Sequence, residues 1–96
     1  MEKKIIWSPE AISSLQATFI YLESEWSSII AESYCDETQN RTESIRYYPE
    51  IGIQSLAIPE WRKILITKHN ILVYRIDKNR ITLLNIIDTR SSAYTI

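Results

Sequence analysis

The stretch from Trp61 to Ile87, WRKILITKHNILVYRIDKNRITLLNII, decides the fold class of this chain. It contains three runs rich in β-branched and aromatic residues, which favour strands, and the runs have a period of two. Only three residues separate each run from the next. Connections this short join neighbouring antiparallel strands. The stretch therefore predicts three consecutive strands, at Trp61–Thr67, Ile71–Ile76 and Arg80–Ile87.

The residues before this stretch predict one more strand and a first helix. Lys4–Trp7 is β-branched and aromatic, which is typical of a short strand. Ser8 followed by Pro9 has the residue types preferred at the cap and first position of a helix. Beyond them, apolar residues recur at spacings of three and four, which places them on one face of a helix: Ile12, Leu15, Phe19, Leu22 and Trp26.

A second helix is predicted from Ile29 to about Tyr47, after a possible cap at Ser27 or Ser28. Its apolar stripe is weaker and runs through Ile30, Tyr34, Thr38, Arg41, Ile45 and Tyr48. The short connection between the two helices makes them an antiparallel hairpin. The segment that follows the second helix, up to Pro59, is expected to be a loop. The predicted fold is a single α+β domain over residues 1–96, with the order β-α-α-β-β-β and the helix hairpin packed on an antiparallel sheet.

Length and composition agree with one globular domain. The chain has 96 residues, of which 45% are hydrophobic and 24% charged. Its longest uncharged apolar stretch is far shorter than the ~20 residues of a membrane span. The first residues contain no apolar segment of secretory length, and the single cysteine, Cys35, cannot form an internal disulfide. We therefore expect a cytoplasmic protein without a membrane-spanning helix.

Charge is distributed unevenly along the chain. Residues 1–60 contain four Lys or Arg and ten Asp or Glu. Residues 61–96 contain seven Lys or Arg and two Asp or Glu. The net charges of the two parts are therefore −6 and +5. This asymmetry predicts a basic surface on the sheet for an anionic partner, either a nucleic acid or an acidic protein segment.

Few side chains in this sequence are suited to metal or cofactor chemistry. One histidine and one cysteine give no ligand spacing, and a single glycine cannot form a phosphate-binding loop. We therefore expect no cofactor and no metal. His69, the only histidine, lies in a predicted turn, where it is either a solvated turn residue or an acid, base or contact residue.

Five segments of the chain, taken together, resemble the RelE/ParE superfamily of bacterial toxins. Each is a loose strand pattern with one or two polar anchors, but all five occur in the order and at the spacing of that superfamily. The resemblance implies the toxin of a type II toxin–antitoxin pair, neutralised by a small cognate antitoxin. The segments are KIIWSPEA at 4–11, YPEIG at 48–52, WRKILI at 61–66, NILVYRID at 70–77 and IDTR at 87–90.

The superfamily contains two activities. RelE-like members cleave mRNA on the ribosome, which requires cations, an acid and a base around the reacting phosphate. For that activity the resemblance implies Arg62, Lys63, Arg90 and Tyr94. However, Ile71 stands where such nucleases carry an arginine, and the histidine near the end of the last strand is missing. ParE-like members instead bind and inhibit DNA gyrase.

We therefore rank gyrase binding ahead of ribosome-dependent mRNA cleavage, with an inactive homologue or a protein-interaction module as a further alternative. Two arginines have a simpler interpretation, because Arg75 could form a surface salt bridge and Arg90 could pair with Asp88. The antitoxin is expected on the helix hairpin and the sheet edge, where the aromatic side chains of Trp26, Tyr34 and Tyr48 would need a cover. The expected target-binding residues are Arg62, Lys63, Lys68, His69, Arg75 and Arg90.

Overall fold

The computed structural model describes residues 3–90, which form two helices packed on one five-stranded sheet. The predicted α+β class and the helix hairpin are confirmed. No helix within this range is long and apolar enough to cross a membrane. In chain order the elements are β1 (Lys4–Trp7), α1 (Pro9–Glu25), α2 (Ser28–Tyr47), a 3-10 turn (Pro49–Ile51), β2 (Ile53–Gln54), β3 (Trp61–Thr67), β4 (Asn70–Ile76) and β5 (Arg80–Asp88).

The sheet is mixed, with the strand order β1-β5-β4-β3-β2. Strands β3, β4 and β5 are antiparallel neighbours, as their short connections predict. β1 lies at the outer edge and pairs in parallel with β5, with Lys4 beside Arg80 and Trp7 beside Leu83. The prediction of a wholly antiparallel sheet is therefore wrong for β1. No short connection joins β1 to β5, so their pairing depends on the packing of distant residues rather than on a local turn.

The segment predicted as a loop between α2 and β3 contains the 3-10 turn and β2. Tyr74, which is fully buried, holds this segment against the sheet. Its hydroxyl donates to the Pro49 carbonyl at 2.7 Å and accepts from the Gly52 amide at 2.8 Å. A Cβ atom on Gly52 would lie 2.5 Å from the Tyr74 oxygen. The only glycine of the chain is therefore required here for close approach.

Both helices begin at the serines that the sequence indicates. Ser8 Oγ accepts from the Ala11 amide at 3.0 Å and also donates to the Leu84 carbonyl at 2.8 Å, so it ties the start of α1 to β5. Ser27 Oγ accepts from the Ile30 amide at 3.2 Å and caps α2. These bonds satisfy amides that a helix leaves unpaired at its first turn.

The main core lies between the helices and the sheet, and the predicted helix stripes enter it only in part. On α1, Ala11 is fully buried and Leu15 and Leu22 pack against the core, but Ile12 and Trp26 are exposed. The α2 stripe is buried at three of its six positions: Tyr34, Thr38 and Ile45. Ile30 and Tyr48, at the two ends of that stripe, are exposed. The ends of the hairpin therefore leave apolar surface uncovered.

A smaller apolar cluster occupies the other face of the sheet. It consists of Ile71, Val73 and Ile87, with Trp61 and Leu84 packed against them. Because side chains alternate along a strand, Ile71 and Val73 of β4 point away from the helices. No helix residue within 3–90 belongs to this cluster.

Candidate functional site

The six expected target-binding residues lie at two ends of the sheet. Trp61 pairs with Arg75 at one end of β3, and Thr67 pairs with Asn70 at the other. Trp61 and Thr67 are six positions apart along β3, a distance of about 20 Å. We call the two groups the far end, with Arg62, Lys63 and Arg75, and the turn end, with Lys68, His69 and Arg90.

Both arginines of the far end contact other residues of the same chain. Arg62 Nη1 donates to the Gly52 carbonyl at 2.8 Å and to the Glu50 carbonyl at 3.4 Å, so it supports the 3-10 turn. Arg75 Nε lies 3.3 Å from Asp77 Oδ1. This contact is the surface salt bridge that the sequence left open. Lys63 is half-buried in the same part of β3. The far end is thus largely a structural arrangement.

At the turn end, Asp88 holds Arg90 in a defined orientation. Arg90 Nε donates to Asp88 Oδ1 at 3.0 Å, Arg90 Nη2 donates to Asp88 Oδ2 at 2.8 Å, and the Arg90 amide donates to Oδ1 at 2.8 Å. The Arg90 side chain is nevertheless 67% exposed. The pair that the sequence indicated as an alternative is therefore present, and it leaves the guanidinium accessible to a partner.

This contact perturbs the pKa of both groups. The side-chain hydrogen bonds from Arg90, followed by its amide hydrogen bond, lower the pKa of Asp88 from 3.8 to about 2. The charge of Arg90 and nearby His69 act in the same direction. The same hydrogen bonds raise the pKa of Arg90. Asp88 and Arg90 are consequently both charged at physiological pH.

Thr89 fixes the β3–β4 turn to the end of β5. Its amide donates to the His69 carbonyl at 2.9 Å, and its Oγ1 donates to the Lys68 carbonyl at 3.3 Å. On the other side of the turn, the His69 amide donates to Thr67 Oγ1 at 3.2 Å. Lys68 and His69 are exposed. These bonds fix the backbone that carries Lys68, His69 and Arg90 at one end of the sheet.

A groove of about 710 Å³ opens between the two helices and the turn end. Its walls are mostly apolar, with Leu22, Ile30 and Ile86 among them, and exposed Tyr21 and Trp26 also line it. We call it the helix–turn groove. Its polar residues include Tyr34, Glu37, His69, Asp88 and Arg90.

Tyr34 is one of the residues around this groove, and its hydroxyl is buried. Tyr34 is 3% exposed, and its Oη has no hydrogen-bond partner among residues 3–90. Burial raises the pKa of Tyr34. The side chains of Thr18 and Thr38 lie close enough to oppose this shift, but neither meets the geometry of a hydrogen bond to Oη. The sequence pattern places Tyr34 on the apolar stripe of α2 and does not indicate a buried hydroxyl.

The positions implied for mRNA cleavage do not come together in the described chain. Ile71, which replaces the arginine of the nucleases, is buried in the apolar cluster on the outer sheet face. Arg62 and Arg90 lie at opposite ends of the sheet, and Tyr94 lies outside the described residues. Within residues 3–90, no three His, Cys, Asp or Glu side chains could together hold a metal ion.

Sequence reasoning also missed Tyr21 and Glu37 as residues of the groove. The sequence contains a partial signal for the groove. On α1, Thr18, Tyr21 and Leu22 follow one another at spacings of three and one. On α2, Ile30, Tyr34 and Glu37 follow one another at spacings of four and three. Such spacing places each set on one helix face. How the two helices and the turn end face one another is visible only in the structure.

Comparison with known proteins places this fold among bacterial toxins. A profile of the family described as "ParE toxin of type II toxin-antitoxin system, parDE" matches residues 5–93. A search of curated protein sequences found no significant match.

Several solved structures share the fold. A chain of a chromosomal ParDE toxin–antitoxin system from P. aeruginosa superimposes with a TM-score of 0.78 at 12% identity, covering 91% of this chain and 96% of that one. The YoeB dimer of Staphylococcus aureus gives a TM-score of 0.62 at 16% identity, covering 88% and 94%. The YoeB–YefM complex of the same organism gives 0.60 at 15% identity, covering 91% and 97%.

Proposed function

We propose, since the chain belongs to the ParE toxin family of type II toxin–antitoxin systems, that this toxin acts by binding and inhibiting DNA gyrase. A cognate antitoxin neutralises it, and both act in the cytoplasm. The residues that contact gyrase are those of the turn end: Lys68, His69 and Arg90.

The observation that supports this proposal is the arrangement of the turn end. Thr89 bonds the backbone of the turn that carries exposed Lys68 and His69. Asp88 bonds the exposed guanidinium of Arg90. A fixed cationic group of this kind suits an acidic surface of a protein partner, because electrostatic complementarity orients the encounter. The far end contributes less, since its two arginines are already bound to carbonyls or a carboxylate of the same chain.

RNA cleavage is the weaker candidate. A nuclease needs its cations around one phosphate, whereas Arg62 and Arg90 lie at ends of the sheet about 20 Å apart. Ile71→Arg would restore the arginine that the nucleases carry at this position, and it would increase activity if the chain were a nuclease. The structure makes this variant unsuitable as a test, because Ile71 is only 6% exposed and a charge there would be buried without a partner.

The antitoxin is proposed to cover the helix hairpin and the adjacent sheet edge. Trp26 and Tyr48 are 67% and 71% exposed, which supports the expectation that aromatic surface awaits a partner there. Tyr34, the third aromatic residue of that expectation, is buried instead. Two of the structural relatives are described as a ParDE system and a YoeB–YefM complex, which is consistent with a partner of this kind.

The proposal is tested with the purified full chain in two assays run in parallel. One measures supercoiling by DNA gyrase, and the other measures cleavage of mRNA on programmed ribosomes. We expect inhibition of supercoiling, relief of that inhibition by the antitoxin, and intact mRNA. Cleaved mRNA with normal supercoiling would replace the proposal by a nuclease activity, and inactivity in both assays would indicate an inactive homologue or an interaction module.

A further inference from the structure

We infer that the corner of the sheet at which β1 begins binds the phosphate backbone of double-stranded DNA. Arg80 and Asp88 are the first and last residues of β5, so about 25 Å separate this corner from the turn end. The inference is therefore independent of the gyrase contacts proposed above. We call the site the basic corner, and it consists of Lys3, Lys4, Lys78 and Arg80.

Backbone contacts between β1 and the β4–β5 connection bring these four residues together. Lys4 is the parallel neighbour of Arg80 in the sheet, and its amide donates to the Asn79 carbonyl at 3.3 Å. Lys3 Nζ donates to the Lys78 carbonyl at 2.7 Å. Lys4, Lys78 and Arg80 are exposed, and Lys3 is half-buried. Residues from the two ends of the chain thus form one cationic surface.

Lys4 and Arg80 lie side by side on the outer face of the sheet. Ile5 and Ile81, which follow them, pack in the main core, so the alternation of side chains directs Lys4 and Arg80 to the opposite face. Neighbouring strands are about 5 Å apart, and like charges on paired residues repel. An anion bound between the two side chains would replace this repulsion by attraction.

The carboxylate within the corner compensates this charge only in part. Asp77 Oδ2 lies 3.7 Å from Arg80 Nε, but Asp77 Oδ1 also lies 3.3 Å from Arg75 Nε. Two arginines therefore share one carboxylate. Within residues 3–90, neither Lys4 nor Lys78 forms an ion pair. Their charges remain available to a ligand.

Most of the acidic charge lies in the helical layer, on the other face of the sheet. Residues 9–47 contain seven Asp or Glu and two Arg, a net charge of −5. Beside the corner, Glu50 lines a cavity together with Lys3. A polyanion would therefore approach the corner from the outer face, where the helices do not repel it. This separation of charge makes phosphate binding compatible with a pI of about 5.8.

The composition of the corner favours a nucleic acid over an acidic protein. Three of its four side chains are lysines, which are depleted in protein–protein interfaces. The exposed residues of the β4–β5 connection, 78–80, include no apolar side chain that could anchor a protein. Phosphate contacts require charge rather than an apolar pocket.

Among nucleic acids, the corner suits a duplex. Proteins that bind single strands stack the bases on aromatic side chains, and the four residues of the corner include none. From β1 across β5 to β4 the sheet is about 10 Å wide. Duplex DNA carries one negative charge for every ~1.7 Å of its axis, so several phosphates face the corner together.

The test measures binding of the full chain to a fluorescein-labelled DNA duplex by fluorescence anisotropy, without gyrase or antitoxin. We expect a Kd on the order of 10–100 μM at about 50 mM salt. The logarithm of the affinity changes with a slope of about −0.9 for each neutralised phosphate. With four phosphates neutralised, the affinity should fall about 50-fold between about 50 and about 150 mM salt.

Lys78→Gln removes one exposed cation of the corner, and Lys68→Gln is its matched control. Lys68 is an exposed lysine in the other strand connection, at the turn end. We expect Lys78→Gln to weaken DNA binding about fivefold to tenfold at low salt and to reduce the salt slope by about 0.9. Adding Lys4→Gln should reduce the slope by a similar amount again, whereas Lys68→Gln should bind as the wild type does. Thermal melting of each variant checks that it is folded.

Four outcomes would overturn the inference. Absence of duplex binding at low salt, or equal losses in Lys78→Gln and Lys68→Gln, would show that the corner is only a solvated surface. Tighter binding of a single-stranded RNA of the same length would replace the duplex by a single strand. Equally tight binding of polyglutamate would indicate an acidic protein partner. None of these results bears on gyrase inhibition, which the supercoiling assay measures separately.

Discussion

Arg90 combines exposure with a fixed orientation. Two nitrogens of its guanidinium bond Asp88, and the side chain extends from the end of β5 into solvent. A positioned arginine loses less side-chain entropy when it binds than a free one. At the residue scale, we therefore predict that target binding depends most on Arg90 and its partner Asp88.

We predict that Arg90→Ala weakens gyrase inhibition about tenfold or more while the protein stays folded. The reason is that the exposed side chain makes no described contact with the core, whereas it is the best-placed cation of the turn end. Gyrase supercoiling and antitoxin binding measure the two properties separately. Arg80→Ala is the control, since Arg80 is also an exposed arginine paired with an aspartate, Asp77, at the other end of the sheet. Equal inhibition by Arg90→Ala and wild type would show that Arg90 serves only to pair with Asp88.

We also predict that Arg90→Ala raises the pKa of Asp88 from about 2 towards 3.8, because the hydrogen bonds from Arg90 are the main cause of its depression. A carboxylate with a lowered folded-state pKa stabilises the protein above the unfolded value and loses that contribution as the pH falls from about 3.8 to about 2. The contribution is small at this exposed site. NMR titration of the Asp88 carboxyl carbon measures the shift. An unchanged pKa in the variant would show that the pair does not persist in solution.

At the scale of elements, the 3-10 turn connects α2 to the sheet through a few close contacts. Tyr74 from β4 bonds both its first residue and the glycine that follows it, and Arg62 from β3 bonds the same glycine. Two strands thereby position one short segment. Arg62, which the sequence indicates as a target contact, also supports this turn.

We predict that Gly52→Ala destabilises the protein by about 1–3 kcal/mol, the usual range for overpacking a tight site. The added Cβ would lie 2.5 Å from Tyr74 Oη and 3.0 Å from the Lys63 carbonyl, which belongs to the backbone of β3. Urea unfolding measures the loss. Combining the change with Tyr74→Phe removes one of the clashing atoms, so the double variant should be more stable than the sum of the single effects implies. Strict additivity would contradict this account.

At the scale of the whole molecule, the apolar surface and the cationic surface are separate but adjacent. The helix hairpin leaves aromatic side chains exposed at the groove, and the turn end borders the same groove with Arg90 and His69. A partner seated in the groove would therefore lie beside the residues proposed to contact gyrase. We therefore propose that an antitoxin seated there would neutralise the toxin by steric occlusion.

We predict that the antitoxin slows amide hydrogen exchange within residues 12–48 and in the turn at 67–70. Burial of the groove removes solvent access and suppresses the local opening of both segments. Exchange measured by mass spectrometry on the free and bound toxin makes the comparison, and β4, whose core residues are already buried, serves as the internal reference. Unchanged protection of the hairpin would exclude it as the antitoxin site.

Local features of the sequence were sufficient to predict most of the helices and strands. Ser8, Pro9 and Ser27 mark the helix starts because capping involves only residues within one turn. The three-residue connections make β3, β4 and β5 antiparallel because such a chain cannot cross over the sheet. Likewise, the pairing of Asp88 with Arg90 could be anticipated, since the two residues lie two positions apart on one strand end.

Tertiary structure alone decided the rest, because it depends on residues that are distant in sequence. Three features depend on contacts between different elements. They are the parallel pairing of Lys4 with Arg80, the hydrogen bond from Arg62 to the Gly52 carbonyl, and the burial of Tyr34 while Trp26 stays exposed. Sequence periodicity predicts which side chains share a helix face, but not how far the sheet extends beneath that face. The helix–turn groove arises from that geometry, because its walls come from α1, α2, the β3–β4 turn and the end of β5.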